Sequence, residues 1–565
     1  MRRAILTVGL VILGANSMAG AECVPDVVIV NARVHTVDRA RPSAQAVAVC
    51  GDTIAKVGTS AEIRQLAGSV TRVIDAGGRL VLPGFNDAHV HLIGGAEAIL
   101  GVDLRPSKDE ADLARRLGEH AARLPKGRWI TGGNWDHEAW PGKSLPTRAQ
   151  IDAATPDHPV YVQRLDGHMA LVNTLALKLA GITTETQAPG GGTIVRDASG
   201  EPAGVFKDNA MELISRAIPP DTPAETLEKA TAALKLAASL GVTTIQDMTA
   251  SGGELRAYQT LRDRRQLTAR IYSIQNHGIS GLKEAGLTTG FGDDWLRVGG
   301  IKLFADGSMG AGTAAFFEPY TDEPSTSGLL LQPPAELEKA VFDADEAGFQ
   351  LIVHAIGDRA NTIVLDIFER LTEQRGTRDR RPRIEHAQVV RPHDKARFKA
   401  LGAIASIQPS HCIDDMRWAE GRIGRQRSAI SYNFRSFVDA GARIAFGTDW
   451  FVEPLDPMLG LYAAVTRQFP DGTPAGGWFP DERITMEQAV EYYTLGSAYA
   501  EFAEERKGTI TEGKLADLVI LSRDIFTIPP REILDTRPTI TMVGGRIVHD
   551  AESAESAAVG DARGR

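Results

Sequence analysis

Residues 83–92 read PGFNDAHVHL, with His89 and His91 two positions apart at the end of an apolar run and Asp87 just before them. On a strand, side chains at i and i+2 point to the same face; on a helix they diverge. Two imidazoles on one face can ligate one cation. Other ionisable residues recur in the same setting, where an aliphatic stretch gives out. They are Lys302 in GGIKLFADG, with Asp306 expected on the same face, His354 in LIVHAIGD, His386 in RIEHAQ, His411 in IASIQPSH and Asp449 in RIAFGTD.

Taken singly, each has an ordinary explanation. A histidine at a strand end is commonly a hydrogen-bonded structural residue, a lysine in an aliphatic strand can snorkel outward, and GTD can be a turn. Taken together these explanations fail, because the chain has only 13 histidines in 565 residues. Imidazoles, a carboxylate and a lysine buried together without a partner would be costly. A divalent metal resolves that cost. Imidazole nitrogens and carboxylate oxygens suit zinc, with manganese, cobalt and iron as alternatives, and three cysteines exclude a cysteine-rich site. A catalytic metal keeps a position open for water and lowers that water's pKa towards neutrality.

The elements that must position these residues follow a repeating pattern. In 222–247, TPAETLEKATAALKLAASLGVTTIQD, Thr222 is a helix N-cap, Pro223 suits the first helical position, Glu225 completes a capping box and Gly241 ends the helix. The strand VTTIQD follows. The sequence helix tail, glycine, aliphatic strand, polar residue recurs at 345–358, 399–411 and 439–449. Strands near 84–91, 270–275, 298–306 and 383–388 bring the number to about eight, so the expected fold is α/β, a (β/α)8 TIM-like barrel with its site at the C-terminal ends of the strands. No Gly-rich dinucleotide turn supports an open doubly wound sheet.

The two ends of the chain resemble each other. DVVIVNARVHTV (26–37) and AQAVAVCGDTIAKV (44–57) read as half-buried strands, as do ADLVIL (516–521) and ITMVGGRIV (540–548). The expectation is one composite β-sandwich built from 22–82 and 506–550 around a barrel at 83–505. Residues 104–220, rich in Pro, Gly, Trp and His, break the rhythm after the first barrel strand and read as an inserted subdomain that walls the mouth. Trp135, Trp140 and Trp450 read as core packing rather than as a pocket lining. The first residues combine two arginines, a short apolar stretch and Ala19-Gly20-Ala21, the pattern of a secretory signal peptide over 1–21, which implies an exported, periplasmic or secreted chain. No other segment reads as a membrane span. Cys23 and Cys50 can form a disulfide in an oxidising compartment, and 551–565 reads as a disordered tail. The net charge of −10 and the absence of a basic stripe argue against nucleic acid as a partner. A homo-oligomer is compatible with the sequence.

The order H-x-H, Lys, His, His, Asp, together with the wordings PGFNDAHVH, IKLFADGSMG, VHAIGDRA, RIEHAQ, QPSH, GTDW and KGTITEGKLADLVIL, resembles the amidohydrolase superfamily, and within it the YtcJ-like branch that includes N-substituted formamide deformylases. The resemblance runs from about Asp26 to Asp550. It implies that His89 and His91 are ligands of the more buried of one or two metals, and that Lys302 is carbamylated and bridges when two are present. It further implies that His354 and His386 hold the second metal and that Asp449 touches the first and handles protons. The activity then expected is hydrolysis of an amide- or formamide-type C–N bond of a small molecule. Asp449 would take the proton from the attacking water and return it to the leaving nitrogen. His168, Asp306 and His411 are further candidates for orienting substrate or holding ligand residues. Competing readings are hydrolysis of an ester, cyclic amide or amidine, deamination at a one-metal site, and a non-catalytic exported metal- or solute-binding protein. The last has no use for Asp449.

Overall fold

The computed structural model describes residues 23–276 and 279–553. The expected leader, and all but the first three residues of the expected tail, lie outside them. Eight parallel strands form one sheet in strictly sequential order: β1 Phe85–Val90, β2 Val242–Thr249, β3 Arg270–Gln275, β4 Leu296–Phe304, β5 Leu351–Ala355, β6 Arg383–His386, β7 Ile404–Ile407 and β8 Arg443–Phe446. Most of these are short, almost fully buried aliphatic runs, as strands covered on both faces must be. Each buried Val, Ile or Leu contributes ~1.5–3 kcal/mol.

The seam between β1 and β8 lies at the C-terminal end. The Asp449 N–H donates to the His89 carbonyl and the His91 N–H to the Trp450 carbonyl, both at 2.7 Å. The residues expected to do chemistry therefore also close the barrel. The Thr222/Glu225 capping box, Pro223 and a Gly241 at φ +78° frame helix Pro223–Ser239 as expected.

The two chain ends share a β domain. Leu80–Pro83, just before β1, pairs antiparallel with Leu518–Leu521 in a six-stranded sheet. A second, four-stranded sheet contains Val27–Val30, Ala46–Cys50, Thr53–Gly58 and Arg72–Asp75. Ile29, Val47 and Ile54 of this sheet and Val81, Leu518 and Met542 of the other belong to one buried cluster, which makes the pair a sandwich. Cys23 and Cys50 form a disulfide at its edge.

The insertion is more regular than its composition suggests. It contains a six-stranded mixed sheet running from Val102–Asp103 to Pro202–Asp208, with two- to seven-residue strands too short to show a clear period. Trp135 and Trp140 lie in its core, donating indole N–H bonds to the carbonyls of Val162 and Ser107, while Trp450 packs in the barrel core.

Candidate active site

His89 is the last inward-facing residue of β1 and is fully buried. Its Nδ1 lies 2.5 Å from Glu385 Oε2. Glu385 is held in turn by Arg383 Nε at 2.8 Å and the Ser406 hydroxyl at 2.7 Å. Burial alone would raise the Glu385 pKa, but Arg383 and His89 outweigh it and leave the carboxylate at about 2. The other ring nitrogen, Nε2, is thereby aimed at the cavity, where it lies 3.3 Å from both Lys302 Nζ and Asp449 Oδ1.

His91 is one residue beyond the strand, at the N-cap of helix Leu92–Leu100. Strict strand alternation therefore does not place it, yet its Nε2 also reaches Asp449 Oδ1 at 3.3 Å. Asp87 explains why the two strand tips meet. Its carboxylate accepts from the Thr448 N–H at 2.9 Å and the Thr448 hydroxyl at 2.7 Å, pinning the β8 turn to β1.

Lys302 on β4 is buried, and burial lowers its pKa to about 8. Among the described residues no carboxylate bonds it, and its polar contact is the His89 ring. His354 and His386, from β5 and β6, meet with ring centroids 4.6 Å apart. His386 Nδ1 faces Gln408 Oε1 at 2.8 Å and Asp449 Oδ2 at 3.8 Å. Burial lowers the pKa of both rings well below the usual imidazole value, and that of His89 to about 4, so all three are neutral at pH 7. His386 (φ +71°) and Asp449 (φ +58°) hold left-handed backbone that costs ~1–3 kcal/mol each in a non-glycine residue, a strain typical of functional sites.

Of the further candidates, His411 and His168 line the same cavity. His411 Nε2 lies 3.7 Å from Asp449 Oδ2, and His168 Nδ1 pairs with Asp208 at 2.7 Å. Asp306 lies beside a candidate ligand, with Oδ1 3.5 Å from His354 Nε2. It lies past the end of β4, and its carboxylate accepts from the backbone N–H groups of Ala315, Ile356 and Gly357. It therefore ties loops together under the site. Sequence reasoning missed Glu385 and Arg383, although both stand in the quoted RIEHAQ run. It also missed Arg164, whose guanidinium pairs with Asp136 and Asp166 at 2.7 Å on the cavity wall.

One ligand atom each from His89, His386 and Asp449 lies within 4.8 Å of the others. Among the described residues, Asp449 Oδ1 is buried without a hydrogen-bond partner. Neutral nitrogens and an orphaned carboxylate oxygen converging on one point fit a divalent cation.

Residues 72–549 match the amidohydrolase family model. The chain belongs to that family. Protein LONG AFTER FAR-RED 3 of Arabidopsis thaliana is 35% identical, covering 93% of this chain and 92% of its own. A Bacillus subtilis amidohydrolase relative bearing the name YtcJ is 31% identical, over 90% and 96%. An N-substituted formamide deformylase of Arthrobacter pascens is 29% identical, over 92% and 97%. Among solved structures, an uncharacterized metal-dependent hydrolase of Pyrococcus horikoshii superposes with TM-score 0.74 at 29% identity, over 89% and 99%. The YtcJ-like resemblance and the barrel fold thus hold.

Proposed function

We propose that this amidohydrolase-family member hydrolyses a small amide, of the N-substituted formamide type, with one or two divalent metals, zinc foremost. The observation that carries the reading is Asp449, whose buried Oδ1 lies 3.3 Å from both His89 Nε2 and His91 Nε2 and has no hydrogen-bond partner among the described residues. His89, His91, His354, His386 and Asp449 would hold the metal, and Lys302, carbamylated, would join them if there are two. When bound, a divalent ion polarises a carbonyl oxygen and lowers the pKa of a water. The side chains do the rest. Glu385 fixes the His89 ring. Asp449 removes the proton from the attacking water and hands it to the leaving nitrogen. His411 and His168 orient the substrate from the cavity wall, and Asp306 holds the loops that carry it.

The choice of a formamide-like substrate rests on the relative from Arthrobacter pascens, which carries that activity in its name. Export is part of the proposal, supported by the leader pattern and by the Cys23–Cys50 disulfide, which suits an oxidising compartment. No helix of the described residues is long and apolar enough to cross a membrane. The test is elemental analysis of purified protein together with a screen of N-formyl and N-acyl amines. One or two metals per chain and turnover of an amide are expected; metal well below one per chain in every preparation would overturn the reading.

A further inference from the structure

His91 lies beyond the end of β1, and its side chain is 26% exposed, against 0% for His89. Strand pairing does not place it, so its backbone has to be held in another way. The peptide unit that joins His91 to Leu92 is bonded on both sides. The His91 carbonyl accepts from the Gly95 N–H at 2.7 Å, within the first turn of helix Leu92–Leu100. The Leu92 N–H is one of the donors that a helix start leaves without an intrahelical partner. The His91 side chain does not cap it. It donates instead to Asp247 Oδ1 at 2.8 Å, from β2 and 155 residues away in the chain.

Asp247 is itself fixed and fully buried. Its Oδ2 accepts from the Thr249 hydroxyl at 2.6 Å and from the Tyr258 hydroxyl at 2.9 Å. The Ser273 hydroxyl, on the next strand, lies 2.7 Å from that of Thr249 and accepts from the Gln275 amide at 2.7 Å. The carboxylate thus faces the positive end of the helix on one oxygen and a buried polar chain on the other. The opposite side of the helix start has little slack. A Cβ on Gly95 would stand 2.3 Å from the Trp450 ring, and the Trp450 carbonyl takes the His91 N–H. Because a peptide unit is planar, fixing both its N–H and its carbonyl fixes its orientation, and with it the direction in which the His91 Cα presents the ring.

We propose that Asp247 is a positioning residue for the metal centre: by holding the Leu92 N–H it aims the His91 ring at the point shared with Asp449. This rests on the hydrolase reading for His91 being a ligand. Glu385 acts on His89 through the ring; Asp247 acts on His91 through the backbone.

The test is titration of metal-depleted protein with Co2+, followed by its visible absorption, which reports ligand geometry, beside thermal denaturation of the metal-free protein. Asp247→Ala should weaken Co2+ binding about 10–100-fold and change the spectrum, whereas Asp247→Asn, whose amide oxygen can still accept from the Leu92 N–H, should stay within about threefold of the wild type. Tyr258→Phe keeps the core filled and frees one side of the carboxylate, and it should weaken binding by a smaller factor. A lower melting temperature in Asp247→Ala with Co2+ affinity and spectrum as in the wild type would make Asp247 a purely structural cap; it would overturn the proposal and leave the metal centre standing. If Asp247→Ala does not fold, Tyr258→Phe decides: weaker Co2+ binding supports the proposal and unchanged binding overturns it. A wild type that takes up no Co2+ would remove the metal reading and the proposal with it.

Discussion

Both ends of the barrel bury charge, but they treat it differently. At the N-terminal end, where the barrel meets the β sandwich, Arg270 forms a two-pronged pair with Asp517 at 2.7 and 2.9 Å. Glu501 there takes Lys507 and Arg297 at 2.8 Å and the Asn86 amide at 2.7 Å. Every one of those carboxylate oxygens is used. At the C-terminal end, Lys302 faces a neutral imidazole, and Asp449 Oδ1 and His411 Nε2 have no hydrogen-bond partner among the described residues. Buried ions that satisfy one another hold a structure in register; buried ions left unsatisfied point to something that has to bind.

The contrast breaks most sharply at Asp449. Asp449→Asn should lower turnover by about 10²–10⁴-fold, the range of a lost acid–base group, while the melting temperature stays level or rises. Steady-state kinetics beside thermal denaturation reads both. An asparagine variant that unfolds would move Asp449 to the structural class. The mirror experiment is Asp517→Ala, which strands the Arg270 guanidinium. It should cost about 3–5 kcal/mol in urea unfolding, with kcat unchanged in the folded fraction. A fall in kcat without loss of stability would erase the distinction between the two ends.

The sequence made one end far more legible than the other. The repeat of helix, glycine and aliphatic strand exposed the barrel, because the residues that end each strand are also those that carry chemistry. That pattern places His89, Lys302, His354, His386 and Asp449 near one another, as the fold does. Glu385 stayed hidden because it precedes His386 directly, and strict alternation would turn one of the two away from the site; the left-handed backbone at His386 (φ +71°) breaks that alternation, so both reach the centre. Asp306 was legible as a neighbour of the site, its Oδ1 lying 3.5 Å from His354 Nε2, but its three backbone N–H donors, from Ala315, Ile356 and Gly357, belong to loops past the strand ends and leave no local signal. The insertion's sheet was missed for want of period. The pairing of Arg270 with Asp517, 247 residues apart, leaves no local signal at all.

Glu385→Gln sharpens the comparison from within the site, since it keeps the shape and removes the charge behind His89. Residues that orient a ligand in this way typically change metal affinity or activity by about 10–100-fold. Titration of the metal-depleted protein with Zn2+ should show that loss, and the unfolding midpoint at pH 7 should move little. If affinity and activity are both unchanged, the His89 ring is oriented by packing alone, and the Arg383–Glu385–His89 chain belongs with the satisfied pairs of the other end.

The smallest expected effect is a difference in acid sensitivity. His89 has a folded pKa of about 4, against 6.5 for a free imidazole, because burial and nearby Lys302 disfavour its charged form. Between those values the unfolded chain binds the proton and the folded chain does not, so stability rises with pH across this window and falls as the solution is acidified through it. The slope from one such group is at most ~1.4 kcal/mol per pH unit. His354 and His386 are lowered in the same direction and add to it. The pairs at the other end work in the opposite chemical sense but with the same sign: Arg270 holds the Asp517 carboxylate below its ordinary value, so its contribution is lost only at lower pH, below the range where free carboxylates titrate. Urea midpoints taken from pH 7 to pH 4.5 on metal-depleted protein should therefore decline in the wild type and decline less in His89→Gln, whereas Asp517→Asn should leave the slope over that range close to wild type. Equal slopes in the wild type and His89→Gln would mean that the acid sensitivity of this protein does not arise at its mouth.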